Sequence, residues 1–560
     1  MAVMNPDRRG QLAALLDSPP DLLVVGGGVV GAGIAWEAAL RGLRVAVLEK
    51  HDFASGTSSK SSKLLHGGLR YLEQFEFHLV FESLAERNRL FHDAPHVAKR
   101  LPFLFPMFKG GRDKGWKVGL GLFVYDMLAT LSNKRPIWHD HLKPAKAVAA
   151  EPSLSGEGLL GAYRYTDGLT EDARLVIETL KSAAAAGAIA LNHVGVEAFT
   201  KDTSGHITGV RARDALSGET FDLGAKIVFN ACGPWADGLC RLDDPAARPR
   251  LRPTKGVHVI TETFVSDHAV VMRSPLKDGR ILFVVPWQGR TLIGTTDTDH
   301  HGPAGDDSYL DHDVEASPEE VRYLLDAVNA SFTVKLQPTD VISAFAGWRP
   351  LIAPPEAGVS EGNISREHEI FRSTSGLITI AGGKLTGYRT MARQAVDAVI
   401  EALGVPAGPT RIEHAILSGS ELDDLDAYVD AAVKGSPELD PTLVRALAAR
   451  HGSHWPTVKA MLTPDLTRSI GTLGNYLVEA AYAVRHEAAV TLADFLARRT
   501  RLYLLDANQG LDFAEDSARA MARELATSET WVQQELASYR GMVAKSRATR
   551  LPGEEPRQVG

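Results

Sequence analysis

Three glycines near the N-terminus have the spacing of a dinucleotide-binding turn. Gly26, Gly28 and Gly31 match Gly-x-Gly-x-x-Gly, directly after the apolar run 22–25. Such glycines permit a tight turn, a close approach of the backbone to a pyrophosphate, and close packing of a helix on a strand. Glu49 follows Gly31 by 18 residues, where a carboxylate can accept hydrogen bonds from ribose hydroxyls. The pattern therefore predicts a bound dinucleotide whose ribose lacks a 2′-phosphate.

The elements that must hold this turn surround it. The short apolar run 22–25 is typical of a strand buried on both faces of a parallel sheet. Residues 32–40 have a helical pattern, and 45–48 form a second apolar run that ends at Glu49. We expect a βαβ unit over 21–49, with the N–H groups and positive dipole end of the helix directed at the pyrophosphate. This unit alone leaves NAD and FAD equally possible.

Composition limits the class of protein. A chain of 560 residues is long enough for more than one domain. Its 44% hydrophobic and 23% charged residues are typical of a globular protein, and its net charge of −8 argues against general nucleic-acid binding. The two cysteines, Cys232 and Cys240, lack metal-type spacing, which predicts a reducing compartment without disulfides or a metal site. With no secretory signal and no long apolar run, we expect a cytoplasmic protein.

The remainder of the chain changes character twice. Residues 167–186 have a helical pattern, and a strand predicted over 226–231 breaks at Gly233-Pro234, where sheet ends carry ligands. Residues 251–298 are rich in strand and turn signals, which predicts an antiparallel sheet in a second domain. A strand, a glycine turn at Gly382-Gly383 and an Ala-rich helix follow, and from about residue 408 the pattern is helical throughout.

This layout favours FAD over NAD. A nicotinamide dehydrogenase usually continues its fingerprint with further βα units, whereas here a second glycine turn returns late and an antiparallel domain lies between the two. We therefore predict an α/β and α+β protein with a discontinuous Rossmann-like FAD-binding domain (1–75, 160–250 and 345–405). An interposed antiparallel-sheet substrate domain (76–159 and 251–344) and an all-α C-terminal domain (406–560) complete it.

Motifs along nearly the whole chain resemble those of the FAD-dependent glycerol-3-phosphate dehydrogenases. They occur in that family's order at 26–31, 58–73, 230–235, 294–297 and 382–386, and in the helical tail at 482–487 and 494–500. The resemblance implies a D-amino-acid-oxidase-like fold and the oxidation of sn-glycerol 3-phosphate to dihydroxyacetone phosphate, with hydride transfer to FAD. It also implies that the electrons pass to a quinone at the membrane face, in glycerol or glycerophospholipid metabolism.

The resemblance assigns roles at the substrate. A phosphate dianion calls for arginine forks, and Arg70, Arg349 and Arg366, with Tyr71, lie in segments that match the family's substrate-binding motifs. Removing the hydroxyl proton needs a positioned base. His258 is the candidate base, and Arg349 is the rival group for polarising the hydroxyl.

A further set of residues is expected at the cofactor. Lys384 could stabilise negative charge on the reduced flavin or bind substrate, and a helix-capping role is the alternative. His66, beside Gly67-Gly68, could approach the flavin ring, and the serines of 58–62 could donate to FAD or serve only the loop. The predicted cofactor residues are Gly26, Gly28, Gly31, Glu49, Ser62, Lys63, His66, Gly67, Gly233, Gly383, Lys384, Leu385 and Thr386.

Several alternatives remain open from the sequence. An oxidase that passes electrons to O₂ would keep the same substrate half, and an amine or amino-acid oxidase could use the same fold. A non-catalytic FAD-binding protein is a third possibility, and a homodimer is compatible with the chain.

Two charged segments allow different interpretations. Residues 101–124 join aromatic runs to a basic cluster, which suits either peripheral contact with an anionic membrane or a substrate-domain core with a basic loop. In the tail, Arg498 and Arg499 lie near Asp494 and Glu487, which predicts an ion-pair network within the C-terminal domain and not the alternative, a ligand site.

Overall fold

Three sheets organise the protein, in a computed structural model that describes residues 4, 7–68, 72, 76–132, 138–276, 278–299, 310, 314–353 and 368–550. Within these residues the strands are Leu22–Val25 (β1), Val45–Leu48 (β2), Leu64–Leu65 (β3), Ala98–Phe108 (β4), Asp140–Leu142 (β5), Leu159–Thr170 (β6), Ile189–Leu191 (β7), Val194–Lys201 (β8), Ile207–Asp214 (β9), Thr220–Gly224 (β10), Ile227–Asn230 (β11), Thr254–Glu262 (β12), Ala269–Arg273 (β13), Ile281–Trp287 (β14), Arg290–Gly294 (β15), Thr298–Asp299 (β16), Val341–Arg349 (β17), His368–Arg372 (β18) and Ile378–Gly382 (β19).

The α-helices lie mostly around the first sheet and in the C-terminal third. Within the described residues they are Arg8–Asp17 (α1), Val29–Leu40 (α2), Phe77–Asp93 (α3), Gly115–Ser132 (α4), Pro144–Ala150 (α5), Asp172–Ala185 (α6), Ala236–Asp243 (α7), Pro318–Ser331 (α8), Tyr388–Leu403 (α9), Leu425–Lys434 (α10), Pro441–His451 (α11), Trp455–Ala460 (α12), Val478–Glu487 (α13), Leu502–Leu505 (α14), Ala514–Leu525 (α15) and Glu529–Arg550 (α16).

The predicted βαβ unit is confirmed and lies at the centre of a six-stranded sheet. The strand order is β18-β19-β11-β1-β2-β7, parallel except for the edge strand β18. All four residues of β1 are buried, because α2, α6 and α9 cover this sheet. Helix α2 begins at Val29, three residues earlier than expected, with Gly28 in extended backbone at its N-cap.

A ten-stranded sheet forms the second layer and carries the candidate base. Its main path runs β16-β12-β15-β14-β13-β4-β6-β3, and β17 pairs with β12 while β5 pairs with β6. In strand β12, His258 pairs with Gly294 of β15 on one side and with Phe345 of β17 on the other. A separate three-stranded antiparallel sheet, β10-β9-β8, completes the strands. The predicted fold class, a Rossmann-like domain with an antiparallel-sheet partner and a helical C-terminal part, is confirmed.

Two local predictions differ from the structure. The helix predicted over 167–186 starts only at Asp172, because residues up to Thr170 pair antiparallel with β4 as part of β6. Strands β3, β6 and β17 belong to the ten-stranded sheet although the predicted division places most of their residues in the FAD-binding domain. The division into domains stays a prediction.

The segment 101–124 divides between core and surface. Its first part lies in β4, where Phe103 and Leu104 are fully buried inside the ten-stranded sheet. Its second part opens α4, where Trp116 and Leu120 are exposed. The core interpretation therefore holds for the strand and leaves the helix as the surface that could contact a membrane.

The helical C-terminal part joins the first sheet through buried charges. On α6, Glu178 pairs with Lys181 at 2.8 Å, and Arg174 pairs with Glu487 of α13. Beside them His454 shares a 2.7 Å hydrogen bond between its Nε2 and the hydroxyl of Ser418. Because a buried charge without a partner is strongly destabilising, these pairs hold the two parts in one relative position.

The same interface predicts acid sensitivity. Burial lowers the pKa of His454 to about 4 and that of His96 to about 3, whereas both titrate near 6.5 when unfolded. Between these pH values the unfolded chain binds protons that the folded chain does not. The contribution of these two histidines to the free energy of unfolding is therefore constant above about pH 6.5 and becomes less favourable as the pH falls below it. We expect H454Q to remove roughly 1.4 kcal/mol per pH unit of this slope between pH 6.5 and 4, measured by urea unfolding.

The matched control is His206, which is exposed on the turn between β8 and β9. H206Q should leave the pH dependence unchanged. An unaltered slope in H454Q would contradict the assignment of acid sensitivity to this histidine.

Candidate active site

A cavity of about 550 Å³ runs from the glycine turn to the ten-stranded sheet. The predicted residues that line it are Gly26, Gly28, Glu49, Ser62, His66, Gly233, His258, Arg349, Gly383, Lys384, Leu385 and Thr386. Gly31, Lys63 and Gly67 are not among the lining residues. Arg70, Tyr71 and Arg366 lie outside the described residues. The structure thus brings together most of the residues that the sequence placed at a cofactor and a substrate.

Backbone contacts explain the glycines of the turn. Gly26 has φ +113°, and a Cβ built on it would lie 2.6 Å from the carbonyl oxygen of Ala231. A Cβ on Gly31 would lie 1.9 Å from the carbonyl oxygen of Gly26, so this glycine keeps α2 against the turn without lining the cavity itself. Ser58 Oγ accepts a 3.0 Å hydrogen bond from Val29 N–H, at the first residue of α2. Gly26, Gly28 and Ser58 line the cavity beside this helix N-terminus and form a glycine cradle, at a position where the helix dipole favours an anionic group.

Glu49 is fixed by two backbone donors at the end of β2. Its Oε2 accepts from Gly27 N–H at 2.7 Å and its Oε1 from His51 N–H at 2.9 Å. Burial raises the pKa of Glu49, and the two N–H donors oppose that effect. The carboxylate lines the cavity in the position that the fingerprint assigns to a ribose partner.

His258 is the buried titratable group at the other end. Its Nε2 lies 2.9 Å from Ser62 Oγ, and its ring stacks on Phe345 with centroids 4.9 Å apart. Its Nδ1 has no hydrogen-bond partner among the described residues. Burial, aided by the positive charges of Arg349 and Lys63, lowers the pKa of His258 well below its usual range. The imidazole is therefore neutral near pH 7, and one of its ring nitrogens is unprotonated.

Arg349 faces the same region from the end of β17. Its NH1 donates to Asp297 at 2.9 Å, and its NH2 donates to Thr295 Oγ1 at 2.8 Å and to the carbonyl of Thr296 at 3.0 Å. These partners fix the plane of the guanidinium. Gly256 leaves room for it, since a Cβ there would lie 2.3 Å from Arg349 NH2.

The late glycine turn brings Lys384 to the cavity. Gly383 has φ +109°, and a Cβ on it would lie 2.2 Å from Met391 Cε in α9. Only glycine therefore lets the chain turn there between β19 and α9. Lys384, Leu385 and Thr386 line the cavity as a result.

Two predicted cofactor residues sit behind the lining instead. Lys63 has φ +61° and is fully buried, with its Nζ 2.7 Å from Asp172 Oδ2 and 2.6 Å from the carbonyl oxygen of Ser59. Gly67 donates its N–H to the hydroxyl of Tyr125 at 2.8 Å. Lys63 therefore supports the serine segment, residues 58–62, through its hydrogen bond to the carbonyl of Ser59.

Sequence reasoning missed several residues of the site. Asp297 is the last residue of the motif at 294–297, and its place in that motif was the signal that the sequence offered. Trp235 lines the cavity with Lys50 Nζ 5.1 Å from its ring centroid, and Lys60 lines it beside the serines. Phe345 carried no signal, because its contact with His258 depends on the register of two strands.

The arginine pair in the tail reaches further than expected. Arg498 does pair with Asp494, at 2.9 Å, but Arg498 and Arg499 both also pair with Asp52 beside the cavity. The prediction of a network confined to the C-terminal domain is therefore wrong. Asp52, His193 and Asp494 have ligand-type atoms within 4.8 Å of one another, but the guanidinium groups already neutralise the carboxylates.

Comparisons with known proteins identify the family of the chain. Residues 21–392 match the family described as FAD dependent oxidoreductase, and 410–532 match the C-terminal domain of alpha-glycerophosphate oxidase. The chain is 38% identical over 531 residues to glycerol-3-phosphate dehydrogenase 2 of Mycobacterium tuberculosis, covering 93% of this chain and 88% of that protein. It is 37% identical over 530 residues to the aerobic glycerol-3-phosphate dehydrogenase of Staphylococcus aureus, covering 92% of each.

The chain belongs to the FAD-dependent glycerol-3-phosphate dehydrogenase family.

Solved structures extend the comparison. The crystal structure of the Bacillus halodurans glycerol-3-phosphate dehydrogenase complexed with FAD has a TM-score of 0.79 and 32% identity, over 100% of both chains. The L-alpha-glycerophosphate oxidase of Mycoplasma pneumoniae has a TM-score of 0.51 and 17% identity, over 70% of this chain and 96% of that chain. The second match shows a shared fold only.

The glycine cradle generates a test of cofactor binding. G31A should force a methyl group into the carbonyl of Gly26, lower the free energy of unfolding by about 1–3 kcal/mol and reduce the FAD content of the purified protein. Absorbance near 450 nm against protein concentration measures the FAD content.

Gly541 provides the matched control, because it lies in α16 with open space where its Cβ would be. G541A should keep full FAD content and stabilise the protein by roughly 0.5–1 kcal/mol. A G31A protein with the same FAD content as the parent would refute the role of the cradle.

Proposed function

We propose that this protein oxidises sn-glycerol 3-phosphate to dihydroxyacetone phosphate with FAD as its cofactor, and that the electrons pass on to a quinone at a membrane surface. One observation carries the chemical part. The cavity that begins at the dinucleotide cradle ends at a neutral buried histidine, His258, and an oriented guanidinium, Arg349. Relatives named glycerol-3-phosphate dehydrogenase, similar over almost the whole chain, support the choice of substrate.

The residues present fit FAD. The cradle at Gly26, Gly28 and Ser58 suits a pyrophosphate, and Glu49 suits a ribose. Lys384, which lines the same cavity, would place a positive charge near a ring system that gains negative charge. When bound, FAD supplies the acceptor for the hydride that leaves C2 of the substrate.

The protein's own residues would handle the proton and the phosphate. Oxidation removes a hydride from C2 and a proton from its hydroxyl, and neutral His258 would accept that proton. Arg349, a fork with a fixed plane, would orient the substrate by charge-assisted hydrogen bonds. Arg70, Tyr71 and Arg366 stay predictions from the family resemblance as further phosphate ligands.

An anaerobic experiment tests this chemistry. Mixing the FAD-loaded protein with glycerol 3-phosphate should bleach the flavin absorbance within seconds. The variant H258Q should slow this reduction by about 10²–10⁴-fold, with its FAD content unchanged. The fold-change follows from the loss of a positioned base. Stopped-flow absorbance measures the rate.

The control is H206Q, which alters an exposed histidine on the turn between β8 and β9. Its flavin should be reduced at the parent rate. Absence of bleaching by glycerol 3-phosphate, with bleaching by an amino acid instead, would overturn the proposed substrate. Equal rates in H258Q and the parent would assign the base to another group.

The acceptor half of the proposal is supported by an exposed stripe on α4. Trp116, Leu120, Phe123, Met127 and Leu131 are 66, 57, 50, 42 and 71% exposed at spacings of three and four residues. Such spacing places them along one face of the helix. Trp138 extends the apolar surface, with its ring centroid 5.8 Å from that of Phe123.

Basic residues border this stripe. Lys109 and Lys114 are exposed just before α4, and Lys117 is exposed in its first turn. No helix within the described residues is long and apolar enough to cross a membrane. A helix with an apolar face and basic neighbours instead suits the interface of an anionic bilayer, where a quinone could be reached. A homodimer stays a prediction.

Vesicles test the membrane contact. We expect the double variant L120E/F123E to lose at least tenfold in binding to vesicles of anionic phospholipid, because two carboxylates would face the lipid, and to reduce quinone in those vesicles more slowly. Flotation and quinone absorbance measure the two effects.

L216E is the control, since Leu216 is 46% exposed on the turn between β9 and β10. It should bind vesicles like the parent, and both variants should keep the anaerobic flavin reduction rate. Rapid peroxide formation by the parent with O₂, and no acceleration by quinone, would contradict the quinone and favour an oxidase.

A further inference from the structure

A single buried carboxylate lies beneath the serine segment of the active site. Asp172, the first residue of α6, is fully buried. Its Oδ2 accepts from Lys63 Nζ at 2.7 Å, from Ser61 Oγ at 2.7 Å and from Ser61 N–H at 3.3 Å. Its Oδ1 accepts from Ala173 N–H at 2.8 Å. Every one of these donors belongs to the FAD-binding half of the chain.

The fifth donor comes from the C-terminal part. Arg501 follows the irregular helical turn 494–499, has φ +67°, and donates from NH2 to Asp172 Oδ1 at 2.7 Å. It is 3% exposed, and its guanidinium carbon lies 6.0 Å from the ring centroid of Trp287 in β14. A left-handed backbone at a non-glycine residue is retained where the surroundings hold it in place.

This carboxylate connects directly to the candidate base. Ser61 is bound to Asp172 by both its hydroxyl and its N–H, and the next residue, Ser62, holds His258 Nε2 at 2.9 Å. The position of Ser62 Oγ therefore depends on how Asp172 is held. Arg501, Asp172 and His258 in this chain of contacts are buried, and Ser61 and Ser62 between them are partly buried.

A second set of contacts reaches the same ring. Leu504 and Leu505 of α14 belong to the buried cluster that contains Trp287 and Phe345, and Phe345 stacks on His258. The carbonyl of Leu505 also accepts from Arg290 Nε at 2.9 Å. The segment 501–505 thus contributes to the packing around Phe345, the ring that stacks on the imidazole.

We propose that the C-terminal domain completes the active site through Arg501, a positioning residue that fixes Asp172 and thereby holds Ser61 and Ser62 against His258. The proposal rests on the proposed function of His258 as the base. It gives the helical domain a part in catalysis without any contact with substrate or cofactor.

Electrostatics makes the assignment measurable. Burial would raise the pKa of Asp172, but the positive charges of Lys63 and Arg501 lower it below its usual range. Burial lowers the pKa of Lys63 to about 8. The charged groups that act on His258 are Arg349, Lys63 and Asp172. Arg501 therefore acts on His258 only through Asp172, whose negative charge raises the pKa of His258. Removing the positive charge of Arg501 leaves that carboxylate less neutralised, so the acid limb of the rate profile should move to higher pH.

The experiment compares R501Q, R501K and R498Q as FAD-loaded full-length proteins. We expect R501Q to slow anaerobic flavin reduction by glycerol 3-phosphate by about 10–100-fold, mainly in kcat and not in KM, with its acid limb shifted upward. R501K keeps the charge and should restore the limb and part of the rate. Because Ser61 and Ser62 line the cavity, R501Q should also change the visible circular dichroism of bound FAD.

R498Q is the matched control, since it weakens a different ion pair between the same two parts of the chain, with Asp52. It should leave rate, limb and dichroism unchanged. Should R501Q fail to fold, S61A is the second variant: it removes the hydroxyl between Asp172 and the serine segment and should reproduce the rate loss and the dichroism change.

Two results would overturn the proposal. One is a flavin-reduction rate and an acid limb in R501Q that match those of the parent. The other is an equal loss of rate in R498Q and R501Q, which would mean that only general docking of the domain matters. Failure of the proposed function is distinguishable, because the parent would then not be reduced by glycerol 3-phosphate at all. In that case the dichroism of R501Q against R498Q still reports whether Arg501 holds the serine segment.

Discussion

The burial of the Asp172 carboxylate is the constraint on which the active-site half of this protein depends. A carboxylate removed from water is strongly destabilising unless opposite charges and hydrogen bonds surround it. Here Lys63 and Arg501 provide the charges, and Ser61 and the start of α6 provide further donors. Because the donors other than Ala173 come from two parts of the chain distant from Asp172, residues 61–63 and residue 501, the carboxylate is satisfied only when both parts are in place. The burial of this carboxylate therefore requires its donors to stand in fixed positions.

The same logic recurs along the interface with the helical part. Glu178, Lys181 and Arg174 lie fully or almost fully inside the protein, and Arg174 pairs with Glu487 across the boundary. Apolar residues could stabilise such a contact equally well, but they would tolerate small shifts. Directional ion pairs do not, because a displaced partner leaves a charge unpaired in a medium of low dielectric constant. The interface can therefore transmit a position to the site as well as hold two domains together.

How much of this could be predicted from the sequence depended on how far apart in the chain the interacting residues lie. The βαβ unit from Leu22 to Glu49 was predictable because strand, turn, helix and carboxylate are neighbours with fixed spacing. The stacking of Phe345 on His258 was not, since it follows from the register of β12 and β17, which are about 90 residues apart. Likewise the helix predicted from residue 167 was wrong at its start, because pairing with β4 overrides local helical preference. The pair formed by Arg501 and Asp172 had no local signal at all.

Residues 58–66 show how local conformation decides between structural and chemical roles. Ser58 and Ser62 face the cavity and bind the start of α2 and the imidazole of His258, whereas Lys63, one residue on, points into the core. Its backbone is left-handed at φ +61°, an unusual state for lysine that reverses the chain locally. Composition made Lys63 a natural candidate for an anionic cofactor, but the backbone turns its charge toward Asp172. Lys63 therefore lies behind the residues that line the cavity, where its ammonium group neutralises the Asp172 carboxylate.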